Sequence, residues 1–153
     1  MIEEEARLAL LQTELNAIQS SIISFDSITF QIKGWCVTVA LAVGGAAVVY
    51  NAAALIVVGL AAVVGFWGLN SQFKILQRFF IKRYQVLDSE LKATGIMEFL
   101  RGQGSTETVG TYVLTFDYNF FSSLWSEAKQ PNTYTLHAFV FLCLAVEGII
   151  LLA

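Results

Sequence analysis

The sequence predicts an all-α integral membrane protein with four parts: an N-terminal coiled-coil-like helix, a transmembrane hairpin, a cytoplasmic amphipathic helix and a C-terminal transmembrane helix. Of the 153 residues, 56% are hydrophobic and 14% are charged, whereas ordinary soluble domains carry about 25% charged residues. The mean hydropathy is +0.65. No Asp, Glu, Lys, Arg or His occurs between Lys33 and Lys74, which indicates a long segment suited to lipid.

The same composition argues against several functions. Nine Lys+Arg against 12 Asp+Glu leave no basic excess for a nucleic-acid partner. One His and two Cys are too few for a structural zinc site, and no nucleotide fingerprint occurs. Because the single His137 lies at the start of an apolar run, no catalytic triad is predicted. We therefore expect no catalytic, cofactor-binding or metal site, and no enzyme.

Residues 1–33 read as a cytoplasmic helix that continues into the membrane, from about residue 3 to residue 50. Its apolar side chains alternate in spacings of three and four, which is the seam of a left-handed coiled coil. Two interpretations stay open: the seam packs on the central helix of the same chain, or it forms a homo-oligomeric coiled coil. The seam consists of Leu8, Leu11, Leu15, Ile18, Ile22, Phe25, Thr29 and Ile32.

Residues 34–69 are predicted to form the transmembrane hairpin. As one helix, the segment between Lys33 and Lys74 would measure about 60 Å at about 1.5 Å per residue, twice the roughly 30 Å of a bilayer core. It should therefore turn once, giving spans of about 34–50 and 53–69.

A turn at Tyr50-Asn51 places Trp35, Tyr50 and Trp67 at membrane interfaces. The competing turn at Gly44-Gly45 would leave the first span too short to cross. Small residues also recur four apart in each span, which lets helices approach closely. These pairs are Ala40/Gly44 and Ala61/Gly65.

Residues 70–133 read as a cytoplasmic helix and linker region with an interfacial segment. Asn70–Ala93 is amphipathic, and its basic stripe contains Lys74, Arg78, Lys82 and Arg83. Such a stripe favours contact with anionic lipid headgroups, pairing with the acidic N-terminal helix, or an anionic ligand. Residues 101–110 read as a Gly-rich linker, 109–118 as a short hairpin or edge strand, and 119–129 as a helix in the membrane interface.

Residues 134–153 are predicted to be a third transmembrane helix, because the run is apolar on every face. Glu147 is the acid within it. An ionised carboxylate inside a span costs a few kcal/mol and usually faces protein or water. Glu147 is therefore a candidate pore or packing acid; the alternative is an acid that reaches the outer headgroups.

Lys and Arg positions predict the orientation. Lys74, Arg78, Lys82 and Arg83 follow the second span and Lys33 precedes the first, whereas the turn carries none. We expect a multi-pass protein of the inner membrane with a cytoplasmic N-terminus and an external C-terminus. The acidic start predicts no cleavable signal peptide.

The run Phe66-Trp67-Gly68-Leu69-Asn70, followed by Gln77-Arg78 and by Phe80 through Tyr84, resembles a pattern in small bacterial membrane proteins. Those proteins carry Phe-Trp-x-Leu-Asp, then Glu-Arg and an aromatic-to-Tyr segment, after a transmembrane hairpin. The likeness covers about residues 31–87, with Asn70 and Gln77 in place of acids. The layout is also similar to membrane effectors of bacterial anti-phage defence systems, a likeness of architecture alone.

Two functions fit these features. The first is a homo-oligomeric inner-membrane protein that forms or gates a pore, as a membrane-perturbing antiviral defence effector. The second is a structural or accessory subunit that anchors a partner protein through its N-terminal helix. The expected partners are the lipid bilayer, further copies of the chain and, in the second case, another protein.

Overall fold

The computed structural model describes residues 2–95, 98 and 120–152. These residues form four helices and no strand: α1 (Ile2–Tyr50), α2 (Ala53–Thr94), α3 (Phe120–Ala128) and α4 (Pro131–Leu152). The predicted all-helical class is confirmed for this part of the chain. α1, α2 and α4 are each long and apolar enough to cross a membrane. The linker and the short hairpin or strand predicted for 101–118 lie outside the described residues.

The turn between α1 and α2 lies at Asn51. α1 passes Gly44 and Gly45 without a break and ends at Tyr50, and Asn51 has a left-handed φ of 49°, which Asn tolerates better than most residues. The N–H of Asn51 donates to the carbonyl of Val48 at 3.2 Å, and the N–H of Ala52 donates to that of Ala47 at 3.0 Å. This is the Schellman pattern, which satisfies the last carbonyls of a helix.

The second predicted span and the amphipathic segment form one continuous helix, α2. Neither Gly nor Pro occurs between Leu69 and Thr94, so nothing in the sequence breaks the helix at the expected membrane edge. The hydroxyl of Ser71 donates to the carbonyl of Trp67 at 2.8 Å. The polar side chain at this point therefore bonds within its own helix.

The third apolar helix begins one turn earlier than the predicted residue 134. Pro131 is its first residue, where the fixed φ of proline suits a helix and its missing N–H costs nothing. The N–H groups of Thr133 and Tyr134 donate to the carbonyl of Gln130 at 2.8 and 3.0 Å. The preceding helix, α3, falls inside the segment 119–129 that was predicted to be helical.

The described residues fall into two compact units, 2–25 with 76–95 and 98, and 26–75 with 120–152. In the first unit the predicted seam packs against α2 of the same chain. Leu11 is 4% exposed and Ile18 is fully buried, and the ring of Phe25 lies 5.6 Å from that of Phe80. Leu15, Ile22 and Phe25 are partly buried. This arrangement matches the first of the two open interpretations of the seam.

In the second unit, α1 and α4 run in the same direction. The ammonium of Lys33 contacts the carbonyl of Asn132 near the start of α4, and Gly44 contacts Glu147 near its end. Because α1 and α4 are parallel, the chain needs an antiparallel helix between them to return to the end at which α4 begins.

That antiparallel helix is α2. Asn70 contacts Thr133 near the start of α4, and Ile56 contacts Gly148 near its end. The three helices enclose a core of small and branched side chains, as helix packing in membranes favours. The core consists of Cys36, Ala40, Ala47, Ile56, Val63, Val140 and Leu144.

Small residues set the closest approaches in this core. A Cβ added at Gly59 would lie 3.2 Å from both Leu144 and Val43. The predicted pair Ala40/Gly44 is buried, whereas the pair Ala61/Gly65 is exposed. Spacing alone therefore identified the packed face of α1 but not that of α2, whose contact face carries Gly59 instead.

Candidate functional site

The candidate site begins with Glu147, whose carboxylate faces α1. A Cβ built on Gly44 would lie 2.6 Å from Oε2 of Glu147, so only glycine leaves this space free. Gly44 precedes the end of α1 at Tyr50 by about 9 Å, at about 1.5 Å per residue. Glu147 forms no hydrogen bond or ion pair with the described residues.

Glu147 also lines a groove between α1 and α4 of about 530 Å³. The wall contributed by α1 includes Ala40, Gly44 and Gly45, and α4 contributes Phe139 and other apolar side chains. Glu147 is the only charged side chain in this wall. A carboxylate with no partner in an apolar groove can attract a cation or a hydrogen-bond donor.

A second polar cluster lies at the opposite end of these helices and joins α2 to α4. Asn70 is fully buried, and its Nδ2 donates to the carbonyl of Thr133 at 3.4 Å. Nδ1 of His137, which is 2% exposed, lies 2.9 Å from the same carbonyl. Because a carbonyl only accepts, Nδ1 carries the proton and Nε2 is left as an acceptor.

Two acceptors in this cluster have no partner. Oδ1 of Asn70 and Nε2 of His137 are buried and form no hydrogen bond with the described residues. Buried polar atoms are nearly always satisfied, so each of these two acceptors can take a donor that lies outside the described residues. Sequence reasoning missed this cluster, although the signal existed: Asn70, Thr133 and His137 are polar residues at the ends of apolar runs.

Side chains of α1 and α2 bond to the backbone on either side of Pro131. The ammonium of Lys33, which directly precedes the first span, donates to the carbonyl of Asn132 at 2.8 Å. Nε1 of Trp67 donates to the carbonyl of Ala128 at 3.1 Å. Burial lowers the pKa of Lys33, the Lys74 charge lowers it further, and Asp26 opposes the shift. Trp67, expected at an interface, thus has a specific partner.

Two members of the predicted basic stripe pair with acids of α1. The ammonium of Lys74 lies 3.1 Å from Asp26. Nε and Nη2 of Arg83 donate to one oxygen of Glu14 at 3.0 and 2.7 Å. These contacts match the interpretation in which the stripe pairs with the acidic N-terminal helix.

The other two members, Arg78 and Lys82, are exposed. Exposure leaves the ammonium of Lys82 accessible to anionic lipid headgroups, as the first interpretation of the stripe requires. The stripe therefore does not act as one surface, because its members have different surroundings.

Asn70 and Gln77, two amides of the segment 66–84, both donate to backbone carbonyls. Nδ2 of Asn70 bonds to Thr133, and Nε2 of Gln77 donates to the carbonyl of Ile22 at 3.3 Å. A carboxylate has no such donor. The two bonds therefore need amides, and not carboxylates, at positions 70 and 77.

Among the described residues, no group of three or more His, Cys, Asp or Glu side chains lies close enough together to hold a metal ion. Comparisons of the chain with protein families, with curated proteins and with solved structures find no match.

Proposed function

We propose that the chain is an inner-membrane protein that assembles with further copies of itself and passes or gates cations. The observation that carries this proposal is the position of Glu147. Its carboxylate faces Gly44, has no partner among the described residues and lines the open groove between α1 and α4.

The physical argument concerns the free-energy cost of a charged side chain within a span. An ionised carboxylate within a span costs a few kcal/mol unless it faces protein, water or a cation. In this proposal a neighbouring copy closes the groove and provides the second wall of an aqueous path. Carboxylates repeated around an axis attract cations and repel anions.

In this proposal the N-terminus lies in the cytoplasm, and Lys33 and Lys74 lie on the same side of the membrane. Opening of the assembly dissipates the cation gradient. That outcome is what a membrane-perturbing defence effector requires, so controlled expression should lower the membrane potential and arrest growth.

The test is cation flux from liposomes that contain the purified full chain. Glu147→Gln keeps the size of the side chain and removes its charge, so it should lose most of the potassium flux while crosslinking between copies is unchanged. Glu5→Gln is the matched control, because Glu5 is an exposed acid far before the predicted first span of about 34–50. Equal flux from both variants and the unaltered chain would exclude a role of Glu147 in conduction and leave it a packing acid.

A second candidate is supported by the apolar surface of the unit formed by 2–25 and 76–95. Leu10, Ile23 and Val86 are 50%, 67% and 43% exposed. In a subunit that anchors a partner, these side chains form the contact, since the seam residues already pack against α2. Substituting Leu10 and Ile23 with Ser together should then abolish capture of the partner without affecting flux.

A further inference from the structure

The groove between α1 and α4 combines a large apolar wall with one negative charge. Its volume of about 530 Å³ lies within the roughly 300–1,000 Å³ of small-molecule pockets. Leu41 of α1 and Phe139 of α4, which are 72% and 64% exposed, both line it. Among the described residues that line the groove, Glu147 is the only one with a charge. The wall therefore suits a molecule that is mostly apolar and carries one positive charge.

The carboxylate of Glu147 can be reached from the groove. The residue is only partly buried and belongs to the groove wall. It forms no hydrogen bond or ion pair with the described residues, so no cation of this part of the chain neutralises it. An ionised carboxylate in apolar surroundings is costly unless a cation, water or a polar group faces it. Binding of a cation beside Glu147 should therefore be favourable.

The neighbours of Glu147 leave room for the apolar part of such a molecule. Gly45 lines the groove, and nothing lies within 4 Å of a Cβ added there. Cys143, one helical turn before Glu147, is exposed and lines the groove as well. The apolar wall then continues to Phe139, about 12 Å from Glu147 along α4 at about 1.5 Å per residue. A molecule held at Glu147 can therefore extend past Cys143 towards Phe139.

We propose that this groove binds a lipophilic organic cation, a molecule with aryl or alkyl groups around one quaternary phosphorus or nitrogen atom. The positive centre faces the Glu147 carboxylate, and the apolar groups lie against Leu41 and Phe139. A hydrated metal ion lacks the apolar groups, and a neutral apolar molecule leaves the carboxylate unpaired. The proposal rests on the role of Glu147 in the proposed function, a carboxylate that attracts cations, and the bound molecule would block the cation path.

Equilibrium dialysis of the purified full chain in an uncharged detergent tests the charge and the apolar groups separately. Methyltriphenylphosphonium is the probe. Triphenylphosphine oxide has the same three rings without a net charge, and tetramethylammonium has the charge without the rings. We expect the probe to bind about tenfold more tightly than either, and Glu147→Gln to lower its affinity to that of the oxide. Equal affinity of the unaltered chain for the probe and the oxide would overturn the proposal.

Two glycines on different helices locate the binding site. Gly45 lines the groove, whereas Gly65 is an exposed glycine of α2 outside it. Nothing lies within 4 Å of a Cβ added at either position. Gly45→Leu fills part of the groove and should weaken binding of the probe by about tenfold, and Gly65→Leu should leave binding unchanged. Equal affinity of the two variants for the probe would overturn the proposal.

The two cysteines provide a measurement on the unaltered chain. Cys143 is exposed in the groove, whereas Cys36 is fully buried. At about ten times its Kd, the probe should slow alkylation of Cys143 by N-ethylmaleimide about tenfold, as followed by mass spectrometry. Alkylation at an unchanged rate would overturn the proposal.

Potassium flux from liposomes separates this site from the proposed function. If the probe binds but the chain passes no potassium, the pore fails and the binding site stands. If potassium passes and the probe does not bind, the binding site fails and the pore stands.

Discussion

The carboxylate of Glu147 fills the space that a side chain at position 44 would occupy. A Cβ on Gly44 would lie 2.6 Å from Oε2 and 3.3 Å from the carboxyl carbon. The atoms that it would meet belong to the tip of a flexible side chain. Gly44 and Glu147 are therefore coupled: the absence of a side chain on α1 determines where the acid of α4 lies.

Gly44→Ala is predicted to displace the carboxylate with little change in helix packing. The free energy of unfolding should fall by less than about 1 kcal/mol, the low end for added methyl groups, while cation flux changes as it does in Glu147→Gln. Gly45→Ala is the control, because nothing lies within 4 Å of its added Cβ. Unchanged flux in Gly44→Ala would show that conduction does not depend on the position of the Glu147 carboxylate.

Arg83→Met is predicted to destabilise the unit of 2–25 and 76–95. The side chain of Glu14 is 5% exposed and that of Arg83 is 21% exposed, so removing the cation leaves a buried carboxylate unpaired. The expected loss is about 3 kcal/mol, measured by denaturant unfolding in detergent. Lys82→Met should be near neutral. The double variant Glu14→Met with Arg83→Met should recover much of the loss; if it does not, packing of Arg83 is the larger contribution.

Asn70→Asp tests whether the amide of Asn70 is needed for stability. The carboxylate cannot donate to the carbonyl of Thr133 and is fully buried there, so we expect a loss of about 3 kcal/mol or more. Gln72→Glu is the matched control, since Gln72 is exposed two residues away. Thermal unfolding in detergent compares the two, and equal stability would mean that the Asn70 bond contributes nothing.

Ile18→Ala and Ile23→Ala distinguish the two faces of α1. Ile18 is fully buried and Ile23 is 67% exposed, so the first should cost about 2–4 kcal/mol and the second about 0.5 kcal/mol or less. Crosslinking between copies should be unaffected by Ile18→Ala. A loss of crosslinking at unchanged stability would instead favour the homo-oligomeric coiled coil.

A reporter fused after Ala153 tests the predicted orientation. Because Lys and Arg cluster beside Lys33 and after the second span, the C-terminus should lie outside the cytoplasm. Alkaline phosphatase at this point should be active, whereas a cytoplasmic fluorescent reporter should be dark. The reverse result would contradict three spans with a cytoplasmic N-terminus.

The turn at Asn51 could be predicted from the sequence because bilayer thickness sets the length of a span, and Asn accepts a left-handed backbone. The apolar character of α4 could be predicted in the same way, from its composition. Both features depend on local composition and length, which a single sequence carries directly.

Contacts between distant residues were harder to predict. Nothing near Glu147 in the sequence indicates that Gly44 is its neighbour, and nothing near Asn70 indicates Thr133. These pairs depend on the register of one helix against another, and small-residue spacing suits several registers equally. For the same reason, Ala61/Gly65 was predicted to pack although Gly59 makes the contact.

The bonds on either side of Pro131 have a consequence for the biogenesis of the protein. α1 and α2 leave the ribosome before α4. Lys33 and Trp67 therefore lack their bonds to Asn132 and Ala128 while the hairpin inserts. Until then we expect water to hydrate the Lys33 ammonium at the edge of the hairpin. We expect insertion of α4 to replace that water with backbone carbonyls, so that docking of α4 closes this edge.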